Sequence, residues 1–322
     1  MNRVLLLGYS RIAQKALIPA FKKSSSTELV AICSQSRFDS IPSQFQPYND
    51  YKKAIDESGC DTVYISLYNN AHYDWLKYSL ENGKNVIIDK PALLRSDQAK
   101  ECYQLANNKL IIFEAFPYLH HQQHKFLKSQ ISNQKTKPYS ASVRFGFPAL
   151  DVNDFRNDSD ELGGGCIWDL GPYPVSAGEF YFDSRVEKVY GISQTTDNVS
   201  KSAAITIEYK SGQILQAIIG FQLEYQNSLE LWGDGFYYSL NRSFTIPTDL
   251  INTINYKTHD QIEMLKVDPD DSFLQMLEEY SRKVEEGDFS DNNKKFLDRA
   301  IVLETINKSC KLGTQLTVEY YD

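Results

Sequence analysis

Short apolar runs alternate with helix-forming stretches through the first 113 residues, and no other feature of the chain narrows its fold so far. Residues 4–7 form an apolar run stopped by Gly8, a helical stretch starts near Arg11, and residues 29–33 are the next apolar run. Residues 51–57 read as helix, 62–67 as strand, 73–81 as helix ended by Gly83, and 85–88 as strand. Residues 96–107 read as helix with Ser96 as N-cap, and 110–113 as a closing strand. Parallel strands need a crossover long enough to hold a helix, so this order predicts an α/β unit with a doubly wound parallel sheet.

The period changes after Phe116. A helical piece covers 120–132, then strands dominate: 140–147, 186–195, and two hairpins over 203–221 and 228–240. Lys210-Ser211-Gly212-Gln213 and Gly233-Asp234-Gly235 supply their turns. Residues 163–181 interrupt the strands as a glycine-rich turn feeding a helix. Phe273, Met276, Leu277, Tyr280 and Val284 recur at helical spacing behind Asp271; Phe296, Ala300, Leu303 and Ile306 do so before Gly313. The expectation is two domains, 1–117 and 118–322, the second an α+β layer with a large, mostly antiparallel open sheet.

Composition removes several classes. Lys+Arg 34 against Asp+Glu 42 leaves −8 with no basic cluster, which argues against nucleic acid as partner. No apolar run approaches the roughly 18 residues of a membrane span, and the N-terminal run meets Gly8 too early for a secretory signal. Five scattered cysteines without a C-x-x-C pair fit a reducing compartment, so the expected location is cytoplasmic.

Chemistry gathers where the predicted strands end. Gly8-Tyr9-Ser10-Arg11-Ile12-Ala13 opens the first helix like a dinucleotide fingerprint, with Ser10 at the second glycine position and its hydroxyl a candidate partner for a phosphate oxygen. The second strand ends in Cys33-Ser34-Gln35-Ser36-Arg37, where an NAD site would carry an acid; Ser34 and Arg37 instead suit a 2′-phosphate, favouring NADP(H) over NAD(H). Leu67, Tyr68, Asn69 and His72 follow the third long strand, and Asp89-Lys90-Pro91 follows the next. Gly163-Gly164-Gly165 would admit close backbone approach to a ligand, and Asp169 and Tyr173, four apart, would share a helical face. Tyrosine has an ordinary pKa near 10 and donates a proton poorly until a cation lowers it, a role open to Lys90. His120, His121 and His124 lack a nearby acid and are read as a polar cleft wall or a surface helix, with no metal site.

These segments, in this order and over essentially the whole chain, resemble the glucose-fructose oxidoreductase / inositol dehydrogenase family of NAD(P)-dependent sugar oxidoreductases. The resemblance implies a Rossmann domain binding the cofactor through Gly8, Tyr9, Ser10, Arg11, Ile12, Ser34, Arg37, Leu67, Tyr68, Asn69, His72, Asp89, Lys90 and Pro91. Tyr173, where many members have histidine, is similar to the branch that includes nucleotide-sugar 3-ketoreductases. Phe116 through His124 and Tyr225 through Thr245 look like stretches of those ketoreductases. Ser10, Asp89, Ser66 and Tyr68 depart from the family pattern. The resemblance implies a reductase acting on a keto-sugar, with Tyr173 as general acid, Lys90 as its cationic partner and Asp169 orienting Lys90 or a substrate hydroxyl. Tyr118, His120, His121, Arg156, Tyr225 and Asn227 are the expected substrate contacts, and a homodimer or homotetramer the expected assembly. A dehydrogenase of a free sugar, polyol or dihydrodiol, and a non-catalytic NADP(H)-binding sensor, are the alternatives.

Overall fold

The computed structural model describes residues 1–151 and 153–321. Its first sheet contains β1 (Asn2–Leu7), β2 (Thr27–Cys33), β3 (Gln46–Tyr48), β4 (Thr62–Ile65), β5 (Asn85–Asp89) and β6 (Ile112–Ala115). All pair in parallel in the order β3-β2-β1-β4-β5-β6. Val4, Leu5, Leu6 and Leu7 are completely buried, as are Thr62, Val63 and Ile65 of β4. Unbroken burial of this kind marks strands covered by helices on both faces. The strand order reverses between β1 and β4, the crevice where open α/β sheets hold ligands. The three-residue β3 escapes sequence reading because Pro47 sits in it, which only an edge strand tolerates.

Residues 11–23 form the first helix, whose middle widens into a π-turn over Ala13–Leu17 just before Pro19. Proline has no N–H to continue the ladder, and the wider turn precedes that gap.

Contacts divide the chain into Met1–Pro117 with Phe273–Ala300, and Tyr118–Ser272 with Ile301–Asp322. The expected division, 118–322 as one piece, differs in assigning Phe273–Ala300 to the second part. The reason is packing: Met276, Leu277, Tyr280 and Phe289 join Val4, Leu6, Phe21 and Phe113 in one core. Tyr280 also bonds Thr62 Oγ1 at 2.7 Å.

The second unit holds β7 (Pro138–Phe147), β8 (Val186–Thr196), β9 (Val199–Tyr209), β10 (Ile214–Phe221), β11 (Gln226–Gly233), β12 (Phe236–Asn241), β13 (Asn252–Lys257), β14 (Ile262–Val267) and β15 (Leu316–Thr317). Their order is β14-β13-β12-β11-β7-β10-β9-β8-β15, antiparallel except for β10 beside β7. Val143, Phe145, Ile205, Ile207, Leu229 and Leu231 are buried, alternating with exposed or half-exposed neighbours as a one-sided sheet requires. The helix Gly165–Leu170 lies against β9 and β10, and Pro172–Phe182 against β10 and β7. Among the described residues no helix is long and apolar enough to cross a membrane.

Candidate active site

β1 ends in Gly8 at φ 99°, and a Cβ there would stand 2.1 Å from the Ser66 carbonyl oxygen of the neighbouring strand end. Only glycine fits that turn. Ser10 then caps the helix: its Oγ accepts from the Ala13 amide at 3.1 Å, and its carbonyl accepts from Gln14 at 3.1 Å. Among the described residues the amides of Arg11 and Ile12, the helix's first two, find no acceptor. They are the groups an anion at a helix N-terminus would use.

The Ser10 hydroxyl is engaged differently from the sequence expectation. It lies 2.9 Å from Ser66 Oγ, and on the neighbouring strand the Asp89 carboxyl accepts from Tyr64 at 2.9 Å. The Ser10 hydroxyl thus joins the glycine turn to the end of β4 inside the fold.

His72 is also turned inward. It is fully buried, with Nδ1 3.0 Å from Pro91 O and 3.2 Å from Ala92 O, and Nε2 3.1 Å from Leu67 O. Burial lowers its pKa against the pull of Asp89 and the carbonyls, while burial raises that of Asp89 against Ser66, His72, Tyr64 and Lys90. His72 thus lies between the Leu67 loop and the Lys90–Pro91 loop, its ring nitrogens facing carbonyls of both. Glu114 on β6, absent from the sequence reading, fastens the other side. Its carboxylate accepts from the Ala92 amide at 3.0 Å and from half-buried Arg299 at 3.2 Å. An acid inside the apolar run 111–116 was the available signal.

Ser34 is buried, and its Oγ accepts from the Arg37 amide at 3.2 Å, closing the turn after β2. The exposed Arg37 guanidinium donates to Tyr9 O at 3.3 Å, so it sits on the glycine turn itself. Tyr68 is exposed, Asn69 buried and Leu67 half-buried at the end of β4. The Gly8 cradle, two unengaged helix amides and a guanidinium beside them fit a dinucleotide phosphate group.

In the second unit Tyr173 stands in an aromatic box. Its ring centroid lies 4.9 Å from Phe145, 5.2 Å from Phe244 and 5.8 Å from Tyr118. Tyr118, expected to face substrate, is buried; its hydroxyl bonds Ser176 Oγ at 2.7 Å and props the Tyr173 turn. Asp169 and Tyr173 do not share one continuous helix, because the chain breaks at Gly171-Pro172. Asp169 Oδ2 lies 3.6 Å from Arg156, whose guanidinium grips Asp154 in a two-pronged pair at 2.8 and 2.7 Å. Arg156 is therefore neutralised by two carboxylates and serves to hold Asp169. The glycine run serves packing: a Cβ at Gly164 would stand 1.9 Å from Asp158 O, and one at Gly165 2.2 Å from Asp160 Oδ1.

The three neighbouring histidines separate. His120 is half-exposed at the end of Pro117–His120. His121 is buried as the N-cap of Gln122–Ser132, accepting from Gln123 at 3.0 Å, so it is a cap and not a cleft wall. His124 is buried between Tyr181 and Ser243 O, each at 2.7 Å. Asn227 is buried and Tyr225 exposed, their side chains bonded at 3.0 Å. Among the described residues no three metal-ligating side chains cluster.

Residues 2–115 match the model of the oxidoreductase family with an NAD-binding Rossmann fold, and residues 132–237 match the GFO/IDH/MocA C-terminal domain. A dTDP-3,4-didehydro-2,6-dideoxy-alpha-D-glucose 3-reductase of Saccharopolyspora spinosa is 23% identical over 97% of this chain and 98% of its own. A D-xylose 1-dehydrogenase (NADP(+)) of Haloferax volcanii is 25% identical over 88% of this chain and 89% of its own. In fold, the chain is similar to KijD10, a 3-ketoreductase from Actinomadura kijaniata solved with NADP and TDP-benzene. The TM-score is 0.88 at 24% identity, covering 96% of this chain and 97% of that one.

Proposed function

The chain belongs to the GFO/IDH/MocA family of oxidoreductases, and from that premise we propose that it reduces a keto group on a nucleotide-linked sugar, a 3-keto-deoxysugar, with NADPH. The full-length relative named as a dTDP-keto-sugar 3-reductase is the observation that carries this reading. The Gly8 turn with the Arg11 and Ile12 amides would hold the pyrophosphate, and Arg37 beside Tyr9 the 2′-phosphate, with Ser34 shaping that turn. NADPH supplies the hydride when bound.

Tyr173 donates the proton that the carbonyl oxygen takes up as it becomes a hydroxyl. Lys90 supplies positive charge that favours the departing proton and the developing alkoxide. Asp89, held by Tyr64, and His72 lie against the loop bearing Lys90, and Arg156 fixes Asp169, which orients Lys90 or a substrate hydroxyl. Assembly is as a homodimer or homotetramer. The NADP-linked D-xylose dehydrogenase relative favours a second reading, oxidation of a free sugar by the same residues.

Fluorescence titration of the purified protein tests the cofactor part. NADPH should bind at least tenfold tighter than NADH, and Arg37→Gln should narrow that gap. Equal affinities for the two nucleotides, or tighter NADH, would overturn the assignment of Arg37.

A further inference from the structure

The turn after β12 carries an arginine that the mechanism leaves unused. Arg242 is held in the left-handed region at φ 53°, which side-chain-bearing residues adopt at a cost unless their surroundings hold them there. Its carbonyl accepts from Gln123 Nε2 at 3.2 Å, and the next two amides, of Ser243 and Phe244, donate to Asn227 O at 3.2 Å and Asn227 Oδ1 at 2.8 Å. Its guanidinium lies over the Tyr225 ring, 4.5 Å from the centroid, and donates to the Tyr225 hydroxyl at 2.8 Å.

Counting hydrogens shows what this arrangement presents. The Tyr225 oxygen accepts from Arg242 and from Asn227 Nδ2, so its own proton goes to Thr245 Oγ1 at 3.2 Å. Thr245 also accepts from Asn227 Nδ2 at 2.7 Å, so its hydroxyl hydrogen is left to donate elsewhere. Arg242 and Thr245 are both exposed. Arg156, Arg282 and Arg299 are paired with carboxylates, whereas Arg242, among the described residues, is pinned by neutral partners alone. A fixed, uncompensated guanidinium beside a hydroxyl donor is built for a phosphoryl group. The same turn carries Phe244, which forms a wall of the Tyr173 box.

We propose that Arg242, with Thr245 and held by Tyr225, binds the diphosphate of the nucleotide-linked substrate and so selects that substrate over a free sugar. The assignment rests on the reductase reading above and deepens it. A phosphoryl group could also come from the cofactor, and the test separates the two.

The test is calorimetric titration of TDP into the full-length protein saturated with NADP+, alongside NADPH titration of the protein alone. Arg242→Gln should weaken TDP about tenfold to a hundredfold, the worth of a charge-assisted hydrogen bond. Thr245→Val and Tyr225→Phe should weaken it less, and Lys266→Gln, an equal change of charge on exposed β14, should leave it unchanged. NADPH affinity should stay within twofold in Arg242→Gln. A TDP affinity within twofold of the unaltered protein, no TDP binding at millimolar concentration, or a loss falling on NADPH would each overturn the proposal. NADPH oxidation by the unaltered protein with a TDP-linked keto-sugar reports on the reductase reading separately, so the two fail independently.

Discussion

Tyr173 is bounded by Phe145, Phe244 and Tyr118, and these rings hold its phenol by packing. Tyr173→Phe therefore preserves the packing and deletes one O–H. If that hydroxyl is the proton donor, kcat should fall about 10²–10⁴-fold with NADPH affinity unchanged, and a loss under about threefold would remove Tyr173 from the mechanism. Tyr173 and Lys90 stand out in the sequence because prolines and glycines mark the strand and helix ends around them. His72, Tyr118, His121 and Arg156 read there as ligand contacts for a physical reason. Their polar ends are spent on backbone groups of Pro91 and Gln123, on Ser176 and on Asp154, and such remote pairings leave no spacing pattern. The Ser10–Ser66 pair is hidden for the same reason, since its members come from two different strand ends.

The helix Gln122–Ser132 is docked on the turn 241–245 through His124, and this gives that element a pH dependence. Nε2 of His124 donates to the Ser243 carbonyl, so Nδ1 is the acceptor for Tyr181 and the ring is neutral. Burial lowers its pKa to about 3. Below pH 6.5 the unfolded chain binds a proton that the folded ring refuses, so stability is lost as pH falls, by about 1.4 kcal/mol per unit at full effect. His121 and His72, also lowered by burial, act in the same direction. Urea melts should show a lower midpoint at pH 5 than at pH 7, and His124→Asn should reduce the difference; equal midpoints would contradict this. At the same scale, the parallel strands are legible because burial on both faces leaves unbroken apolar runs. β13 and β14 are not: Ile254 is the one fully buried side chain of Asn252–Lys257, and Ile262 and Met264 of β14 are exposed.

Across the whole molecule, the return of Phe273–Ala300 to the first unit is invisible to a reading that cuts the chain once. Its apolar stripe declares a helix but not which sheet it covers. The second unit's sheet leaves Ile192 and Ile218 more than half exposed in one cross-strand row with Ala204 between them. An apolar row of this kind suits a second copy of the chain. Light scattering should give twice or four times 36.9 kDa, and Ile218→Asp should lower it; a single-chain mass would contradict the assembly. The central claim is tested most directly by following NADPH absorbance with purified protein and a panel of TDP-, UDP- and GDP-linked keto-sugars beside free sugars. The predicted result is NADPH oxidation with a nucleotide-linked keto-sugar and little with its free counterpart. Firm NADPH binding that no keto-sugar discharges would contradict the account and leave a cofactor-binding sensor in its place.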